Sequence, residues 1–154
     1  MKSVLAFSAL ALLATVAVAK PLSKDAALKI MHERHEGMEA IGKANKVLRR
    51  ELTSDAPKVA DVRGAANSIA NLSGKASKWF PAGTGPELGK TGAKPEIWQR
   101  PADFNAKLHD FQAAAKTLQL AAGKADPSAT KAAYASLGKT CQACHDSYRM
   151  DMHH

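Results

Sequence analysis

The chain has two cysteines, and both fall in Cys141-Gln142-Ala143-Cys144-His145. Two thiols and an imidazole at this spacing form C-x-x-C-H, the pattern that attaches c-type haem. The thiols add across the porphyrin vinyl groups and the adjacent histidine coordinates iron. Residues three and four apart share a helix face, so on a helix all three side chains leave one side together. Three other chemistries use paired cysteines. A disulfide between Cys141 and Cys144 would close a very small loop and add little stability. A thioredoxin-like redox pair belongs in a strand-helix context, and the chain has no strand pattern. A zinc site needs a second ligand pair at suitable spacing, and the other histidines are scattered. One covalent haem c on Cys141 and Cys144, with His145 as an iron ligand, is therefore the expected cofactor.

Such a site needs helices, and the sequence divides into four segments of helical length. In the first, Ala27, Met31, Arg34, Met38, Ile41, Ala44 and Leu48 recur at intervals of three and four, the seam of a bundle helix. For the second, Ser54 is the expected cap, Pro57 suits the first turn, and Val59, Val62, Ala66, Ile69, Ala76 and Phe80 form the stripe up to Pro81. The third opens at Pro101, carries Phe104, Leu108, Phe111, Ala115, Leu118 and Ala122, and ends at Gly123. Asp126-Pro127 caps the fourth, whose stripe is Tyr134, Leu137, Cys141, Cys144 and Tyr148. The expected fold is all-α, an antiparallel four-helix bundle with the haem near its C-terminal helix. Residues 81–100 hold four Gly and three Pro, too many breakers for a fifth helix, and Ile97 and Trp98 are the residues expected to tether this long connection to the bundle.

Residues 1–19 read as a signal peptide rather than as fold. A short positive start at Lys2 precedes an apolar run from Val4 to Val16, and Ala17-Val18-Ala19 is a small-x-small cleavage site. The run is shorter than the roughly 20 residues of a spanning helix, so a cleaved, periplasmic protein with no membrane insertion of the mature chain is expected. Residues 20–154 then form one haem domain. Loss of Lys2 lowers the formal charge from +8 by one to +7. Lys and Arg are interspersed with acids, as in Glu33-Arg34-His35-Glu36, so no block suits nucleic acid, and the basic surface favours acidic redox partners.

The motif lies near the C-terminus, inside the last helix of a bundle, and in this the chain resembles the class II c-type cytochromes, cytochrome c′ and its low-spin relatives. The resemblance spans the mature chain through Arg34-x-x-x-Met38, Lys94-Pro95-Glu96-Ile97-Trp98 and Cys141-Gln142-Ala143-Cys144-His145-x-x-Tyr148-Arg149. It implies that Met38 faces the distal side of the iron, where low-spin members place a coordinating Met. It also implies that Arg34 meets a haem propionate, and that a homodimer packed through the first two helices is open to the chain. Arg34 stands on an apolar seam, where a guanidinium is costly without a partner; the alternative is that it snorkels to solvent. Arg149, four residues after His145, shares its face and is either part of the proximal electrostatics or a plain surface arginine. His32, His35 and His109 lie beside their seams and read as surface residues.

No nucleophile-and-base pair is evident, so the chain is not expected to be an enzyme. Electron transfer with His145/Met38 ligation is the leading expectation. A five-coordinate, cytochrome c′-like protein binding nitric oxide or carbon monoxide is the alternative that the resemblance allows.

Overall fold

A computed structural model describes residues 21–151; the expected signal peptide and the last three residues lie outside this range. The described chain is all-helical: α1 Lys24–Leu52, α2 Val59–Ala76, α3 Glu96–Gln99, α4 Pro101–Gly123 and α5 Pro127–Tyr148. The four long helices form the expected bundle. None of the described helices is long and apolar enough to cross a membrane.

Each long helix forms where its apolar stripe finds a partner. On α4 all six expected seam residues, Phe104 through Ala122, are buried. Leu48, Ile69, Leu118 and Leu137 are fully enclosed, one from each long helix. Each such side chain contributes about 1.5–3 kcal/mol by leaving water. Ser23 caps α1 by accepting from Ala26 N at 3.3 Å, and Asp126 caps α5 by accepting from Ala129 N at 2.9 Å. The α4–α5 turn carries its positive φ at Ala125 rather than at Gly123.

The start of the second helix differs from expectation. Helix α2 begins at Val59, after Pro57, and Ser54 does not cap it. The Glu51 carboxylate reaches across the turn instead and accepts the Lys58 amide at 2.9 Å, so the chain stays extended until that bond is made. The helix also stops at Ala76, short of Pro81, and Val59 lies exposed while Ser73 takes a buried place. Within the long connection a single short turn of helix, α3, does form around Ile97 and Trp98.

That connection is fastened at both ends. Ile97 is buried, and Trp98 Nε1 donates to the carbonyls of Phe80 and Pro81 at 3.2 and 3.0 Å. Next to α3, Ala93 and Arg149 form an antiparallel bridge: Lys94 N donates to Tyr148 O at 2.9 Å and Met150 N to Gly92 O at 2.8 Å. The end of α5 is thereby held by backbone bonds from a segment more than fifty residues earlier.

The packing is unequal around the bundle. Helix α2 runs against both α1 and α4, and α4 runs against α5, whereas α1 and α5 meet only sparsely.

Candidate functional site

Helices α1 and α5, which carry the sequence-derived site residues, meet only sparsely. The helices are antiparallel neighbours, and one of their few meeting points is Tyr134, whose hydroxyl lies 3.5 Å from Asn45 O. Seven residues along α5 lead from Tyr134 to Cys141, and seven back along α1 lead from Asn45 to Met38. Each step is about 10.5 Å of helix, so Met38 and Cys141 lie at similar distances along their helices from that contact. Met38, Cys141 and Cys144 are all half-buried and pack against the edge of the same core.

On α5, Cys141, Cys144 and His145 do share one face. Burial raises both thiol pKa values, with Lys107 pulling in the opposite direction at Cys144. Both sulfurs are free thiols rather than a disulfide. Among the described residues the one group of His and acids close enough to hold a metal ion is His35, Glu36 and Glu39, exposed on α1 and without a cysteine. His145 is exposed, yet nearby protein withdraws enough water from the ring to lower its pKa. Arg149, with Nη1 3.5 Å from Nδ1, adds to the effect, and Asp146 opposes it. A neutral imidazole is the form that binds metal. Two thiols and an imidazole on one helix face suit a haem attached through both sulfurs.

Arg34 is 5% exposed, so it does not snorkel. Its guanidinium is held by the connection: Nη1 donates to Trp79 O at 3.1 Å and Thr84 Oγ1 at 3.4 Å, and Nη2 to Thr84 O at 3.0 Å and Thr91 Oγ1 at 2.9 Å. The faces of Phe80 and Trp98 lie 5.0 and 5.9 Å away. Every partner is neutral, and burial lowers its pKa from the ordinary arginine value. Gly37, one turn on, lies directly under the Trp79 ring, where a side chain would overlap it. Met31 is buried deeper than Met38 and lies beside Gly89 of the connection. His32, His35 and His109 are exposed, as expected.

Several contributors escaped sequence reasoning. Thr84, Thr91 and the Trp79 carbonyl hold Arg34, and Asp103 accepts from the hydroxyl of Tyr148, itself buried on the expected α5 stripe. No sequence signal set Gly37 apart: Gly64, Gly74 and Gly138 are also helical glycines, and a side chain at any of them would meet nothing within 4 Å. A separate cavity of about 320 Å³, lined by Phe80, Trp98 and Phe104 among others, includes none of Met38, Cys141, Cys144 and His145.

Known proteins place the chain. The family model described as Cytochrome C′ matches residues 29–149. Cytochrome c′ of Allochromatium vinosum is 34% identical over 158 aligned positions, covering 97% of this chain and 99% of that protein. Cytochrome c-554 of Cereibacter sphaeroides is 34% identical over 110 positions, covering 71% of this chain and 80% of the relative. The crystal structure of cytochrome c′ from Thermochromatium tepidum superimposes with a TM-score of 0.75 at 29% identity, covering 85% of this chain and all of that one. A bundle whose last helix carries two thiols and an imidazole on one face is thus joined to a family match over most of its length. The chain belongs to the cytochrome c′ family of class II c-type cytochromes, and its cofactor is covalent haem c.

Proposed function

We propose that the protein is a periplasmic electron carrier, not an enzyme, with Cys141 and Cys144 as the thioether attachments and His145 and Met38 as axial ligands. What supports this reading is the sparse contact between α1 and α5, with Met38, Cys141 and Cys144 half-buried at the edge of the core they share. Bound haem supplies one-electron chemistry at iron, and a thioether ligand on a His-ligated iron raises its potential. The chain's own residues set the rest. Trp79 against Gly37 fixes the height of α1, and with it Met38. The bridge from residues 92–94 and the Tyr148–Asp103 bond hold the end of α5, and with it His145. Arg34, buried among neutral acceptors, brings a positive charge that a propionate at the mouth of the bundle would answer. Export with removal of residues 1–19 and a homodimer through α1 and α2 belong to the same reading.

The test is the far-red sulfur-to-iron charge-transfer band of the ferric protein. It should be present in the wild type and lost in Met38→Ala. A high-spin wild-type spectrum that the substitution leaves unchanged removes Met38 as a ligand. That outcome favours the second reading, a five-coordinate protein binding nitric oxide or carbon monoxide. Its support is a solved relative: a mutant of the cytochrome c prime from Alcaligenes xylosoxidans, matched at a TM-score of 0.72 and 27% identity, is a nitric oxide complex.

A further inference from the structure

The seam of α1 faces the bundle, and its outer side carries a different set of donors. His35, Glu36 and Glu39 are exposed, and one ligand atom from each lies within 4.8 Å of the others. His35 Nε2 is 3.4 Å from Glu39 Oε1, a pair four residues apart on adjoining turns. Lys43, a further turn along, stands at the other oxygen of the same carboxylate, with Nζ 3.4 Å from Oε2. Glu39 is thus held from outside the group with Oε1 toward the imidazole, in the way that metal-binding carboxylates are held by a second partner. His32, also exposed, precedes His35 by three residues and Glu36 by four, so the same face repeats the histidine-to-glutamate interval in an interleaved pair. The inner side of these turns is fixed by the hydrogen bonds of Arg34 and by Trp79 against Gly37, so the backbone that spaces the donors is rigid.

Surface ion pairing accounts for only part of this arrangement. The contacts of His35 and Lys43 both serve Glu39, and Glu36 makes no ion pair among the described residues. With the imidazole neutral, two carboxylates face the single positive charge of Lys43, which leaves this turn negative on a chain of net charge +8. A cation is what the turn lacks, and the donor types select its class. Imidazole nitrogen combined with carboxylate oxygen suits zinc, nickel or copper(II), whereas magnesium and calcium are held by oxygen.

We infer that His35, Glu36 and Glu39 form a binding site for a divalent transition-metal ion, with His32 on the preceding turn as a further donor. Three protein donors on an exposed turn leave the remaining coordination positions to water. The site is separate from Cys141, Cys144 and His145, and it does not depend on which group lies opposite His145.

The experiment titrates zinc chloride into the untagged holoprotein by calorimetry, with His153 and His154 replaced by Ala so that the terminal imidazoles do not compete. One zinc ion per chain should bind, with saturation below about 0.1 mM free zinc. Magnesium in about hundredfold excess should not displace it. His35→Ala and Glu39→Gln should each weaken binding about tenfold or more, and Glu36→Gln serves if Glu39→Gln does not take up haem. His109→Ala, on the exposed side of α4, should leave binding within about twofold. Zinc should also raise the melting temperature of the parent protein and not that of His35→Ala. Binding that His35→Ala leaves unchanged would overturn the site and reduce His35–Glu39 to an ion pair. Displacement by magnesium on equal terms would overturn it in favour of an unselective acidic turn, and uptake only at millimolar zinc would leave adventitious binding alone.

Discussion

Helices α1 and α5 supply the two sides of the haem site by opposite means. On α5 the reactive groups are loosely packed: Cys141 and Cys144 are half-buried, His145 is exposed, and the helix end is held from outside by residues 92–94 and Asp103. On α1 Met38 is half-buried too, but the residues one turn before it are packed hard. Arg34 is enclosed by four hydrogen bonds and two aromatic faces, and Gly37 has no room for a side chain. Groups that form covalent bonds to a cofactor must stay accessible until attachment, so α5 leaves them open. A distal side has no covalent bond to define its position, so the fold has to define it by packing. Substitutions on α5 should therefore change chemistry first and stability second, and those on α1 the reverse.

The largest effect belongs to α5. Replacing both Cys141 and Cys144 with Ala should abolish covalent attachment, so that acid-acetone extracts any haem and the intact mass is that of the polypeptide alone. Produced without haem, this variant should also lose the sharp thermal transition of the holoprotein. Binding energy that a ligand contributes to the native state disappears with the ligand, and sparse contact between α1 and α5 leaves little to replace it. A cooperative transition equal to that of the holoprotein would contradict the contrast at its strongest point.

On α1 the largest loss should come at Arg34. Arg34→Ala strands the Trp79 and Thr84 carbonyls and the Thr91 hydroxyl in the interior. Buried polar groups without partners cost about 1–3 kcal/mol each, offset where water enters, so a net loss of about 3 kcal/mol by denaturant titration is expected. Arg34→Lys should recover only part of it, because an ammonium cannot span both carbonyls as a planar fork does. Gly37→Ala tests the same packing through sterics. The added methyl meets the buried Trp79 ring, and overpacking of this kind costs about 1–3 kcal/mol. If Trp79 instead tilts away cheaply, stability will hold while the charge-transfer band moves with Met38.

The contrast also explains what could be seen in the sequence. The attachment motif was plain because it is local: covalent chemistry fixes residue types at fixed spacing within five positions. The α4 seam and the Asp126-Pro127 cap were equally local, and both stand as expected. Arg34 was recognisable as an anomaly on an apolar stripe, but its partners were not, since Thr84 and Thr91 come from a segment fifty and more residues away with no periodic signal. The start of α2 was misplaced for the same reason. Ser54 and Pro57 look like a helix start, but the local signal yields to Glu51, whose long side chain captures the Lys58 amide from the previous helix.

Glu51 carries the smallest of these effects and gives the contrast a pH dependence. Its carboxylate is held below the ordinary value first by the hydrogen bond from the Lys58 amide and then by the one from Arg50, with burial pulling the other way. Arg50 Nε and Nη2 donate at 2.9 and 2.7 Å. A carboxyl whose pKa is lower folded than unfolded stabilises fully above its unfolded value, about 4.3, and loses that contribution as pH falls through its folded value. Glu51→Gln keeps an oxygen for the Lys58 amide but gives up the charge, so at neutral pH its melting temperature should fall slightly below that of wild type. In acid the two should converge, because the wild-type carboxyl is then protonated as well. The lowest pH of the comparison must lie below the ordinary carboxylate range, with haem retention checked by absorbance at each point. A gap between Glu51→Gln and wild type that stays constant into acid would show that the Lys58 contact matters for its shape and not for its charge.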